Sequence, residues 1–146
     1  MTKVKKIINN KNWNSVEDDE IILDHLDRNR RRIKLETKKK VVFLLDEKTT
    51  IFLQDGALLI LTNNYKVKVK AKLEEVFKVC ANDEKSLLIL AWHIGNRHIP
   101  AEIHEDYILI KRDNVIGKML KLLGAKISKK KLSFTPEPGA YHNHTV

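Results

Sequence analysis

The residues of this chain best suited to chemistry are its six histidines, His25, His93, His98, His104, His142 and His144. Neutral imidazole is a ligand for nickel, copper and zinc, and with Cys80 the sole cysteine there is no thiolate site to offer instead. Spacing sorts the candidates. His142 and His144 stand two apart, and in extended chain such residues point the same way and can pinch one ion. The same pair reads equally as a solvated tail with two incidental imidazoles. His93 and His98 differ by about 140° in direction on an ideal helix, so within one subunit they do not easily share an ion. His104 stands beside Glu105 and Asp106, which form a turn or, less simply, an oxygen-rich ligand set. His25, among acidic and apolar residues, reads as structural, and Cys80, between Val79 and Ala81, as a buried thiol. The segment RNRRRIKL from Arg28 to Leu35 reads as a solvated strand and loop, with a site for an acidic partner as the sharper alternative.

Nothing points to catalysis. The chain contains no GxSxG, no HExxH and no P-loop, and Gly95 and Gly117 belong to no phosphate-binding pattern. A zinc-dependent hydrolase would need a general base at motif spacing from its histidines, and none accompanies them.

The elements that must position these side chains come in two styles. Residues 1–20 are polar and irregular in pattern, with an acidic cluster at Glu17–Glu20. There follow short runs rich in Ile, Val, Leu and Thr, among them DEIILDHL, TTIFLQDGALLILT and YKVKVKAKL. In the last of these Val67, Val69 and Ala71 alternate with lysines, the period of a half-buried strand. Asp55-Gly56 and Asn63-Asn64 are turn signals between runs. Residues 1–75 therefore predict a small β-sheet domain. From Glu74 the pattern changes. EVFKVCA predicts a strand, and Asn82 or Asp83 caps a helix over DEKSLLILAWHIGNRH. Pro100 blocks its continuation, and AEI and YILIKR are short strands. Asp113 caps a second helix in which Val115, Ile116, Met119, Leu120, Leu122 and Leu123 recur at helical spacing until Gly124. KISKKKLSF closes with a strand. The fold class is α+β, with a β-α-β-β-α-β order over residues 76–135, a ferredoxin-like unit. Thr135 onward, and residues 136–146 in particular, predict a mobile, His-containing tail.

Composition narrows the setting. Apolar residues make up 42% of the chain, enough for a core, whereas aromatics at 6% make that core aliphatic. The lone cysteine suits a reducing compartment. The start of the chain has no apolar stretch of signal-peptide length, and the longest apolar run, SLLILAWHIG, is broken by His93 and Gly95. The expectation is a cytoplasmic protein that does not engage membranes. The net charge of +9 invites a nucleic-acid reading, but the excess is divided almost evenly between the two halves.

Five segments carry a resemblance. AWHIGNRHIPAEI, then DNVIGKMLKLLGA, then FTPEPGAYHNH, together with DRNRRRIKL and KVKVKAKLEEVFKV, resemble the urease accessory protein E family of nickel metallochaperones. The likeness runs from about Ile21 to His144. It implies a β domain similar to the peptide-binding domain of co-chaperones, followed by a ferredoxin-like domain that binds metal and dimerises. It implies that His98 lies on a twofold axis and binds Ni²⁺ as cargo with its symmetry mate, with His142 or His144 added from the tails. Zn²⁺ or Cu²⁺ could bind the same site. The implied partners are a second copy, the urease GTPase accessory protein and the urease apoprotein complex, and neither nucleic acid nor membrane. The chain departs from the family pattern at Arg112-Asp113-Asn114, where many members carry histidines, and in its short end HNHTV; one ion per dimer follows rather than storage of several. Because the ligand is neutral imidazole, binding should weaken as pH falls through about 6.5. The principal rival is a basic ferredoxin-like nucleic-acid-binding module. It is disfavoured because Phe77, Tyr107 and Phe134 form no RNA-recognition pattern.

Overall fold

The computed structural model describes residues 1–139, which form an α+β protein of ten strands and two helices among those residues. They divide into two compact units, the first ending at Lys72 and the second beginning at Leu73.

In the first unit β1 (Val4–Ile8), β5 (Leu58–Leu61), β6 (Lys66–Ala71) and β2 (Asp19–Leu23) form one sheet in the order β1-β5-β6-β2. Only the β2–β6 pair is parallel. β3 (Asn29–Glu36) and β4 (Val42–Phe52) form a second, two-stranded antiparallel sheet. Ile21, Leu23, Leu35, Phe43, Leu45, Leu59, Leu61, Val67 and Val69 make the buried core. Val67 and Val69 are fully buried, as their alternation predicts. The intervening lysines are half-buried rather than free, because acids stand beside them: Lys70 Nζ is 2.6 Å from Glu20. Gly56 and Asn64 both take positive φ in the turns predicted for them.

Two expectations fail here. Residues 1–20 are not irregular throughout, since they contain β1 and the start of β2. The pairing of β1 with β5 slips between Val4 and Lys6, which breaks the two-residue period that would betray a strand. The arginine segment is not wholly solvated either. Arg28 is fully buried, its guanidinium donating to the carbonyls of Leu23 (3.3 Å) and Leu53 (3.4 Å). Interior carbonyls and the Phe52 ring, 5.5 Å away, are what draw it in.

Asp19 is a second buried charge in this unit, at 4% exposure. It accepts from Glu20 N (2.8 Å), Lys39 N (3.3 Å) and the Tyr65 hydroxyl (3.0 Å), joining β2 to the β3–β4 turn and the approach to β6. Burial pushes its carboxyl up, but hydrogen bonds from Thr37, Glu20, Tyr65 and Lys39 outweigh this and hold it below the ordinary carboxylate value.

In the second unit β7 (Leu73–Cys80), α1 (Glu84–Asn96), β8 (Ala101–Ile103), β9 (Ile108–Lys111), α2 (Asn114–Leu122) and β10 (Lys126–Ser133) follow in that order. The sheet runs β10-β7-β9-β8, with every pair antiparallel. Both helices cover one face, where Phe77, Val79, Ile108 and Ile110 meet Leu87, Leu90 and Ile94 of α1 and Leu120 of α2. Gly117 lets α2 lie close on Phe77, since a Cβ there would meet the ring at 3.0 Å. On the opposite face Val76 and Leu109 are buried with Phe134. Of the apolar positions read along α2, only Leu120 is fully buried, while Val115 and Leu122 are 75% and 89% exposed. Helical spacing alone does not say which stripe is covered. Cys80 is half-buried rather than buried, being the last residue of β7.

Asp19→Ala should lower stability by about 3 kcal/mol in urea denaturation, as several donors lose a charged partner. Because the folded carboxyl titrates below its unfolded value, the contribution of Asp19 is present above about pH 4 and lost as pH falls through the depressed value. The gap between wild type and variant should therefore narrow in acid.

Candidate metal centre

α1 begins where Asp83 accepts a hydrogen bond from Ser86 N at 2.7 Å. That bond holds the Asp83 carboxyl below the usual carboxylate range. Leu87, Leu90 and Ile94 then bury one side of the helix. The other side is also apolar: Leu88, Ile89 and Trp92 are 70%, 47% and 63% exposed. Residues three and four apart share a face, so these three make one stripe that continues to Gly95 and Asn96. Gly95 is exposed, and a Cβ there would meet nothing within 4 Å. Glycine inside a helix costs about 1 kcal/mol relative to alanine, and no packing among the described residues explains it.

The end of α1 is the informative place. Arg97 is the C-cap. His98 N donates to Gly95 O (3.0 Å) and Ile99 N to Ile94 O (3.3 Å). This is the paired closure of a Schellman motif, which requires a left-handed residue in the position His98 holds. Its φ is +56°. α2 ends the same way, with Gly124 N donating to Lys121 O (3.0 Å) and Ala125 N to Leu120 O (3.0 Å), and there the left-handed residue is glycine, at φ +94°. The two helices thus use one motif with two residues. At α2 the residue is the conformationally cheap one; at α1 it is an imidazole held where a side chain costs about 1 kcal/mol or more. His98 is exposed, and its ring has no hydrogen-bond partner among the described residues.

The other histidines fall elsewhere. His93 is half-buried, its Nδ1 3.4 Å from the Arg97 guanidinium and its ring 5.0 Å edge-on from Trp92. His104 lies in the β8–β9 turn, stacked on Tyr107 at 4.2 Å and paired with Glu102. His25 is half-buried in the first unit. Glu105 and Asp106 occupy the turn. Among the described residues no three His, Cys, Asp or Glu side chains converge as one subunit's metal site. His142 and His144 lie outside the described residues.

Sequence reasoning singled out His98 through a family resemblance, not by its geometry. A signal was available: a helix followed by His-Ile-Pro with no glycine at the reversal implies a non-glycine left-handed residue. The exposed stripe on α1 carried no comparable signal.

Residues 74–146 match the model of a family described as the UreE urease accessory protein, C-terminal domain. Over 127 residues the chain is 44% identical to a urease accessory protein UreE of Chelativorans sp. (strain BNC1), covering 87% of this chain and 80% of that one. It is 42% identical over 124 residues to the UreE of Rhizobium meliloti (strain 1021), covering 85% and 80%. With the UreE of Bradyrhizobium sp. (strain ORS 278) it shares 36% identity over 141 residues, covering 97% and 67%.

His98→Gly should raise stability by about 0.5–1 kcal/mol in urea denaturation, because glycine relieves the left-handed strain. A loss of stability would show instead that the imidazole anchors the helix end.

Proposed function

The chain belongs to the urease accessory protein UreE family, and from that premise we propose that it is a nickel carrier, delivering Ni²⁺ for assembly of the urease active site. It serves as an accessory protein and not as an enzyme, in keeping with the names its relatives bear. The ion is cargo, held by His98 from each of two subunits and supplemented by His142 or His144.

One observation carries this reading: an exposed imidazole fixed at a helix end in a strained conformation that the companion helix gives to glycine. Strain retained at an exposed position is a mark of a functional demand on the side chain. A single imidazole is a poor site, so a second copy is part of the proposal. The exposed Leu88, Ile89 and Trp92 support it, since an apolar stripe of this size on a helix is a surface to cover, and the stripe leads along α1 towards His98. Gly95 fits the same purpose, as a missing Cβ lets another helix approach closely. A twofold axis along this stripe would bring identical imidazoles together without any subunit holding two.

Chain length supports the tail ligands. Glu137 N donates to Ala101 O at 2.7 Å, and Ala101 is three residues from His98. His142 is five residues past Glu137, a reach of about 17 Å when extended. The GTPase accessory protein and the urease apoprotein complex are the proposed donor and acceptor partners. The cytoplasm is the proposed setting, and no helix among the described residues is long and apolar enough to cross a membrane. Zn²⁺ or Cu²⁺ would compete for the same imidazoles. The nucleic-acid reading loses support from the aromatics: Phe77 and Phe134 are buried, and Tyr107 is stacked on His104.

Calorimetric titration with nickel should show His98→Ala weakened by about tenfold or more, since loss of even an outer partner of a ligand costs about that much. Unchanged binding would end the proposal. Trp92→Glu should convert a dimer to a monomer in light scattering and weaken nickel binding with it. A dimer that survives Trp92→Glu would place the twofold axis elsewhere.

A further inference from the structure

The chain does not leave the sheet when β10 ends. β10 is one edge of the sheet and β8 the other. After Ser133, Phe134 turns over the face opposite the helices and is fully buried against Val76 and Leu109. Thr135 N then donates to Glu102 Oε1 at 2.7 Å. Two residues on, Glu137 grips β8 twice: its N–H donates to Ala101 O at 2.7 Å, and its carboxylate accepts from Ile103 N at 3.1 Å. Strands lie about 4.8 Å apart, so three spacings separate the edges by about 14 Å. Four extended residues span at most about 14 Å, so the crossing has little slack.

This strap decides where the chain beyond residue 139 starts. Released from β8, that chain would be tethered at Phe134, which is buried against Val76 of β7 and Leu109 of β9 rather than beside β8. Held by Glu137, it starts beside Ala101, at the segment that leads back to His98. We propose that Glu137 and Glu102 are positioning residues, clamping the strap to β8 so that the tail histidines are delivered to the His98 site at high effective concentration. The inference rests on the reading of His98 and the tail as nickel ligands, and it assigns the cost of their encounter to the fold. Glu102 is suited to its part because it is itself fixed, its second oxygen being paired with His104, whose ring stacks on Tyr107. With the clamp open and Phe134 still buried, the tether to His142 lengthens from five residues to eight. Effective concentration falls roughly as the −3/2 power of tether length, about twofold here from length alone, with the displacement of the anchor adding to it.

The test is a double-mutant cycle on the full chain, read by nickel titration. Glu102→Ala with Glu137→Ala should weaken affinity about twofold or more while thermal unfolding still shows a folded protein. Glu137→Ala alone gives a smaller loss in the same direction, and Glu137→Gln restores binding, because the amide oxygen still accepts from Ile103 N–H. In a chain lacking residues 142–146 the alanine substitutions should have no further effect. Equal weakening with and without the tail would mean that the glutamates merely stabilise the domain, and would overturn the proposal. So would wild-type affinity in the clamp variant when tail deletion itself weakens binding. Unchanged binding in His98→Ala would fail the nickel reading itself, a result separable from either. Hydrogen exchange supplies an independent check: the Ile103 and Glu137 amides should be protected in the wild type and exchange fast in the clamp variant, and fast exchange in both would overturn the clamp.

Discussion

Chain reversal after a helix that closes in a Schellman motif demands one residue with positive φ, and at the end of α1 that residue is His98. The demand is met by glycine at the end of α2, so the fold itself contains the cheaper solution. Everything proposed for the site follows from the difference. The backbone bonds to Ile94 and Gly95 fix the direction of the chain, and the imidazole is carried at the tip with no described group competing for it.

α1 is apolar on two sides for separate reasons. Leu87, Leu90 and Ile94 are consumed by the sheet, and the burial of this side holds the helix in place. Leu88, Ile89 and Trp92 have no such use among the described residues. A helix that both closes a core and presents an apolar outer stripe is suited to bringing two copies of its own end together. Among the described residues of one subunit, no three ligand side chains converge.

Much of this was legible locally. Asp83 and Asp113 act as caps through carboxylates that accept from the first-turn amides, and Gly124 ends its helix, each as its type and position indicate. The alternation of Val67 and Val69 marked β6. Other features were hidden because their cause is remote. β1 is masked by its slipped register against β5. Arg28 is interior because the carbonyls of Leu23 and Leu53 receive its guanidinium, and Leu53 is far away in sequence. Thr135 and Glu137 fall where composition suggests loose chain, yet both bond to β8.

The sequence alone determined the α+β character, the helix ends and the family, because these depend on local period, capping chemistry and motif spacing. It named His98 only through that family. Which side of α1 is spent on the sheet, which residue must bear a left-handed backbone, and where the strap delivers the chain were decided by tertiary structure. Those outcomes depend on which distant groups meet, and no local pattern of residues encodes a meeting.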